Sequence, residues 1–109
     1  MEVSRGDLVT VALPGGYGKP RPAVVVQSDF FDRHPTVTVL PLTSETRDAP
    51  HFRISIEPTL RNALGTSSQV MVDKAHTVAR EKLGPAFGRL DDHQIVAVNR
   101  ALALFLGLV

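Results

Sequence analysis

Three side chains in one short stretch are equipped to handle a phosphate. Arg21 stands between prolines in Lys19-Pro20-Arg21-Pro22, and Thr43 and Ser44 follow an apolar run ending Pro41-Leu42. A guanidinium offers planar donors that match phosphate oxygens, and two hydroxyls can donate to the oxygens that remain. Such a set suits a pentacoordinate phosphate on which negative charge is building. The chain holds no cysteine, so a thiolate nucleophile is excluded, as are disulfides and cysteine-based zinc sites. It also has no GxSxG nucleophile elbow. The four histidines, at positions 34, 51, 76 and 93, show neither HxxxH nor HExxH spacing, so no metal or other cofactor is expected. The substrate is therefore expected to bring its own nucleophile. An RNA 2′-hydroxyl attacking its adjacent phosphate does so, and DNA cannot. A guanidinium holds its proton too tightly to serve as a base, which leaves Arg21 charge stabilisation or proton donation. Two other readings stay open: Arg21 as a structural residue pinned between prolines at a sheet edge, and a histidine pair serving acid–base cleavage of RNA. Each histidine falls in a loop or on a polar strand face, where solvation is the commoner role.

The elements that must carry these residues are legible as patterns. Ala23 to Ser28 and Thr36 to Leu42 are short, β-branched runs, and Asp29 to Pro35 between them supplies the Asp, Arg, His and Pro of a reversal. If Ser28 faces Thr36 in an antiparallel hairpin, Arg21 falls beside Thr43. Leu8 to Leu13 reads as a first, mostly buried strand. Gly15 to Pro20 reads as a glycine-rich loop in which Tyr17 and Lys19 could touch a ligand. It lacks the Gly-Lys-Ser/Thr ending of a P-loop and precedes a strand, not a helix. His51 to Glu57 alternates Phe52, Ile54 and Ile56 with His51, Arg53, Ser55 and Glu57, as a half-buried strand does. Pro58 to Gly65 is a turn or a short helical turn, with Asn62 and Gly65 as breakers. Ser67 to Val78 reads as one more strand region, Ala79 to Leu83 as a polar connection, and Gly84 to Leu90 as a last short strand. A helix follows, with Asp91 and Gln94 in a capping-box pattern. Ile95, Val98, Leu102, Phe105 and Leu106 share its apolar face, and Gly107 stops it. Five or more strands and then a helix predict a mostly β fold, an antiparallel, strongly bent barrel closed by a C-terminal helix.

Composition bounds the rest. Of 109 residues 43% are apolar and 21% charged, an ordinary globular balance that predicts one domain spanning residues 1–109. The net charge of +1 neither demands nor excludes a nucleic-acid partner, because clustering decides that. Nine of the 12 basic residues are arginine, the side chain suited to bidentate phosphate contacts, although a base-composition bias explains that equally well. Met1-Glu2-Val3-Ser4-Arg5 lacks a signal-peptide layout, and Asn99 and Arg100 interrupt the apolar C-terminal run. A cytoplasmic protein without membrane contact is expected.

Several pieces in this order resemble the MazF/PemK toxin family: Arg5-Gly6-Asp7-Leu8, Arg21-Pro22-Ala23-Val24-Val25-Val26, Leu40-Pro41-Leu42-Thr43-Ser44, Val70-Met71-Val72-Asp73-Lys74, and a Leu-rich final helix ending Leu106-Gly107-Leu108. The resemblance implies a small SH3-like, CcdB-like barrel acting as a homodimer. It implies sequence-specific, metal-independent cleavage of single-stranded RNA that leaves a 2′,3′-cyclic phosphate and a 5′-hydroxyl. By the same resemblance Arg21 and Thr43 are the catalytic pair, and Gly16, Tyr17, Lys19, Ser44, Asp73 and Lys74 help bind RNA. The glycine-rich loop becomes a flap over the site, and a cognate MazE/PemI-like antitoxin blocks the RNA groove with an acidic, apolar C-terminal tail. The chain departs from the family pattern in carrying Thr10 where an aromatic is usual, and no acidic residue in the flap. Two rival readings are a CcdB-like gyrase inhibitor, for which Gly107-Leu108-Val109 lacks the expected aromatic end, and a non-catalytic SH3-like RNA- or protein-binding module.

Overall fold

A computed structural model describes residues 3–14 and 19–109 of the chain. Seven short strands precede one helix: β1 Asp7–Ala12, β2 Pro20–Val25, β3 Thr36–Thr43, β4 Arg53–Ile56, β5 Ser68–Met71, β6 His76–Ala79, β7 Ala86–Arg89 and α1 Asp92–Phe105. All pairings are antiparallel, and the sheet runs β4-β5-β3-β2-β1-β7 with β6 also on β3.

Strand β3 is the spine. One edge pairs with β2 from Ala23↔Pro41 to Val25↔Val39. This is the predicted register, and carried outward it sets Ser28 level with Thr36 and Arg21 level with Thr43. The hairpin's far end closes through a side chain. Gln27 accepts from the Thr38 N–H at 3.1 Å and donates to the Thr36 carbonyl at 2.9 Å, standing in for backbone rungs. A single 3-10 turn, Asp29–Phe31, then makes the reversal.

The other edge of β3 changes partner. Residues 36–39 pair with β6, and Leu42 and Thr43 pair with β5. The predicted single strand from Ser67 to Val78 is therefore two strands with a turn between them. The two pairings are out of register by three residues, and the turn between Met71 and His76 takes up the excess. The Lys74 N–H donates to the Met71 carbonyl at 3.1 Å and closes that corner.

The central strands are covered on both faces, which explains their nearly continuous apolar runs. One core gathers Leu8, Val24, Leu40, Ile56, Val70 and Leu90 under α1, which contributes Val98 and Ala101. The opposite face gathers Val9, Val11, Ala23, Val25, Val37 and Val39 beneath Val78 and Leu83. The helix begins as predicted, with Asp91 and Gln94 closing a reciprocal capping box. It ends on Gly107, whose φ of 73° suits glycine. The Gly107 and Leu108 N–H groups bond back to Leu104 and Ala103, a Schellman closure.

Three expectations need correction. Phe105 and Leu106 were expected on the buried helix face but are 53% and 56% exposed, because the last turn of α1 runs beyond the sheet. Arg53 was placed on the solvated face of β4 but is buried, because the 44–50 connection folds over that face. Asn62 is more than a turn breaker. Its buried side chain accepts from the Thr59 and Leu64 N–H groups and donates to the Glu57 carbonyl, so one amide organises the whole 57–64 loop. Among the described residues, no helix is long and apolar enough to cross a membrane.

Candidate active site

Proline placement opens the site. Pro22 and Pro41 lack the N–H that a sheet ladder needs, and the β2–β3 rungs stop at Ala23↔Pro41. Beyond that point the strands part over a groove of about 520 Å³, lined by Pro22 and Pro41 together with Arg21, Thr43, Ser44 and Lys74. Of the residues singled out from the sequence, these last four are brought together.

Arg21 sits near the start of β2, opposite Val11 of β1, with its side chain exposed. Thr43 is the last residue of β3 and pairs with Gln69 of β5. Its Oγ1 accepts from the Glu45 backbone N–H at 3.0 Å. With one lone pair used this way, the hydroxyl proton is free to be donated to a ligand in the groove. Ser44 and Glu45 continue the same rim. Lys74, on the β5–β6 corner, is half exposed and lies 3.6 Å from the Asp73 carboxylate. An exposed pair of this kind contributes little to stability, so its cation remains available to an anionic ligand.

The other expected residues fall differently. Lys19 is exposed at the entry to β2 and Asp73 pairs with Lys74, and neither lines the groove. Gly16 and Tyr17, with Gly15 and Gly18 of the same loop, lie outside the described residues. Among the described residues no group of three or more His, Asp or Glu side chains is placed to hold a metal ion.

The groove also contains residues that the sequence did not place there. His76 lines it, with Nδ1 2.7 Å from the Lys74 carbonyl. A carbonyl only accepts, so Nδ1 carries the proton and Nε2 of the neutral ring is an acceptor. The only sequence signal for this was its position two residues after Lys74. Leu64, Gly65 and Thr66 form one wall, and Glu45 adds a carboxylate to the rim. No local signal marks that wall, since it approaches β3 only through the fold. Two cations, four hydroxyls (those of Thr43, Ser44, Thr66 and Ser68), an imidazole and a carboxylate thus share one open groove, a set able to bind an extended anionic chain and to stabilise charge on one of its phosphates.

The model for the family described as "PemK-like, MazF-like toxin of type II toxin-antitoxin system" matches residues 4–106. The chain is 48% identical over 105 residues to the probable endoribonuclease MazF of Mycolicibacterium smegmatis, covering 95% of this chain and 96% of that protein. It is 26% identical over 117 aligned positions to endoribonuclease EndoA of Bacillus subtilis, covering 100% and 98% of the two. A mycobacterial endoribonuclease solved in complex with its cognate antitoxin superposes with a TM-score of 0.83 at 25% identity, over 98% of this chain and 97% of that one. A MazE–MazF structure from Deinococcus radiodurans, at 19% identity, shares the fold with a TM-score of 0.77 over 100% of both chains. A family match that spans nearly the whole chain, together with a relative almost half identical along its length, places this protein among the PemK-like, MazF-like toxins of type II toxin–antitoxin systems.

Proposed function

We propose that the protein is an endoribonuclease that cuts single-stranded RNA at particular sequences, without a metal, through the RNA's own 2′-hydroxyl. The 2′-oxygen attacks the adjacent phosphorus and loses its proton as the P–O5′ bond breaks and O5′ gains one. The products are a 2′,3′-cyclic phosphate and a 5′-hydroxyl. Arg21 holds the non-bridging oxygens and stabilises the charge that accumulates on them, and Thr43 donates its hydroxyl proton to one of them. Ser44 and Lys74 bind flanking phosphates. By the family resemblance Gly16, Tyr17, Lys19 and Asp73 also help bind the strand.

The observation that carries this reading is the shared groove of Arg21 and Thr43, in a register that sets them level, with Thr43 Oγ1 already accepting from Glu45. The partner is a cognate antitoxin whose acidic, apolar tail occupies the same groove opposite Arg21 and Lys74. The active form is a cytoplasmic homodimer. The test incubates the purified protein in chelator with a long single-stranded RNA, the same sequence as DNA, and RNA bearing a 2′-deoxy group at the mapped cut site. Discrete RNA cuts ending in cyclic phosphate are expected, with the DNA and the 2′-deoxy RNA intact. Arg21→Ala and Thr43→Ala should be inactive. Uncut RNA at high protein concentration, with DNA gyrase inhibited instead, overturns the reading.

A further inference from the structure

A buried guanidinium behind the groove has no carboxylate partner among the described residues. Arg53 is only 7% exposed, and none of the ion pairs among the described residues includes it. Its Nε is buried and makes no hydrogen bond. A buried, uncompensated charge costs stability, and an apolar side chain of similar volume is often at least as stable in its place. The hydrogen bonds that Arg53 does make indicate what it does. Nη1 donates to the Glu45 carbonyl at 3.2 Å and to Gln69 Oε1 at 3.1 Å. Gln69, itself 7% exposed, also grips the backbone of Arg47 from both sides: its Oε1 accepts from the Arg47 N–H and its Nε2 donates to the Arg47 carbonyl, each at 3.0 Å.

These bonds converge on the segment that leaves Thr43. Glu45 is held by its carbonyl to Arg53, and its N–H is the donor to Thr43 Oγ1. Arg47, two residues on, is clamped by Gln69, which is also the cross-strand partner of Thr43. A connection that has left the sheet at Thr43 has no ladder to fix it, so the two side chains supply the missing rungs. We propose that Arg53 and Gln69 are positioning residues. Through the backbone of Glu45 and Arg47 they hold Thr43 with its oxygen occupied and its proton turned to the substrate. This rests on reading Arg21 and Thr43 as the catalytic pair.

The test uses the full chain carrying Arg53→Met, Arg53→Lys or Gln69→Met, beside wild type and Arg21→Ala. Amide exchange at Glu45 and Arg47 is read without RNA, and cleavage kinetics and thermal midpoint are read separately. The expected result for Arg53→Met is a midpoint equal to or above wild type. Exchange at Glu45 should be faster, and kcat should fall roughly 10- to 100-fold as misplaced geometry predicts, with KM changed less than about two-fold. Gln69→Met should speed exchange at Arg47 and lower kcat similarly, and Arg53→Lys should recover part of both losses. A residue that merely supported the fold would lower the midpoint and lower kcat only in proportion to unfolded protein. That result overturns the proposal, as does unchanged exchange at Glu45 and Arg47. If wild type cuts no RNA, the functional reading fails, and exchange alone decides whether the brace holds the segment.

Discussion

Asn62 and Gly88 meet backbone to backbone: a Cβ at position 88 would overlap the Asn62 carbonyl. The contact joins β7 to the 57–64 loop, and the Arg89 N–H fastens it with a 3.0 Å bond to the Arg61 carbonyl. The same loop continues into Leu64–Thr66, a wall of the groove, so the closeness of this one approach bears on both stability and site shape. Backbone cannot move aside as a flexible side chain can. Gly88→Ala should therefore destabilise the protein by about 2–3 kcal/mol, read as a lower denaturant midpoint at unchanged slope. A loss below about 0.5 kcal/mol would show that the loop gives way easily.

Asn62→Ala removes the amide that orders the loop from within. It leaves the Thr59 and Leu64 N–H groups and the Glu57 carbonyl without their partner. Unsatisfied buried groups of this kind cost about 1–3 kcal/mol each, less where water reaches them. We expect a total near 3 kcal/mol, checked by urea unfolding. A slack wall should raise KM for RNA more than it lowers kcat, and steady-state kinetics on the folded variant separates the two.

At position 43 the hydroxyl, not the side chain's bulk, should matter. Thr43→Val keeps the β-branched shape at the end of β3 but cannot donate or accept, and should lower kcat about 10²- to 10³-fold. Thr43→Ser keeps the Oγ that receives the Glu45 N–H and should stay within about ten-fold of wild type. Equal activity in the two variants would remove Thr43 from the chemistry.

Lys74 acts as a charge at the edge of the groove. Lys74→Ala should weaken RNA binding at low salt and flatten the dependence of log affinity on log salt by about 0.7, the value for one phosphate contact to a single strand. Titrating an uncleavable 2′-deoxy oligonucleotide across a salt series measures this directly. An unchanged slope would place Lys74 outside the RNA path.

The helix supplies a paired comparison. Val98 is 2% exposed and Phe105 is 53% exposed, although both lie on the apolar stripe of α1. Val98→Ala should cost roughly 2 kcal/mol and Phe105→Ala no more than about 0.5 kcal/mol in the monomer. Unfolding curves taken at several protein concentrations check this. A concentration-dependent loss for Phe105→Ala would instead show that the last turn packs against another molecule.

Some of this protein was decided within a few residues of chain and could be read there. The Ala23–Ser28 and Thr36–Leu42 runs are short, β-branched and bounded by turn residues, which marks a hairpin, and the pairing of Ser28 with Thr36 supposed from it sets Arg21 level with Thr43, as the observed register does. The Asp91–Gln94 box and the Gly107 stop are equally local, since each depends on hydrogen bonds spanning one helical turn. The ordered motifs from Arg5 to Leu108 carried the family as well. What the sequence left open depends on contacts between distant segments. Arg53 alternates like a surface residue and is buried only because the segment after Thr43 folds across β4. The single strand expected from Ser67 to Val78 breaks at a turn that carries three extra residues against β3, which places Lys74 and His76 along the groove. Phe105 fits the helical stripe, yet α1 outruns the sheet that would have covered it. Periodicity reports which side of its own element a residue faces; only the packing of the elements decides whether anything lies on that side.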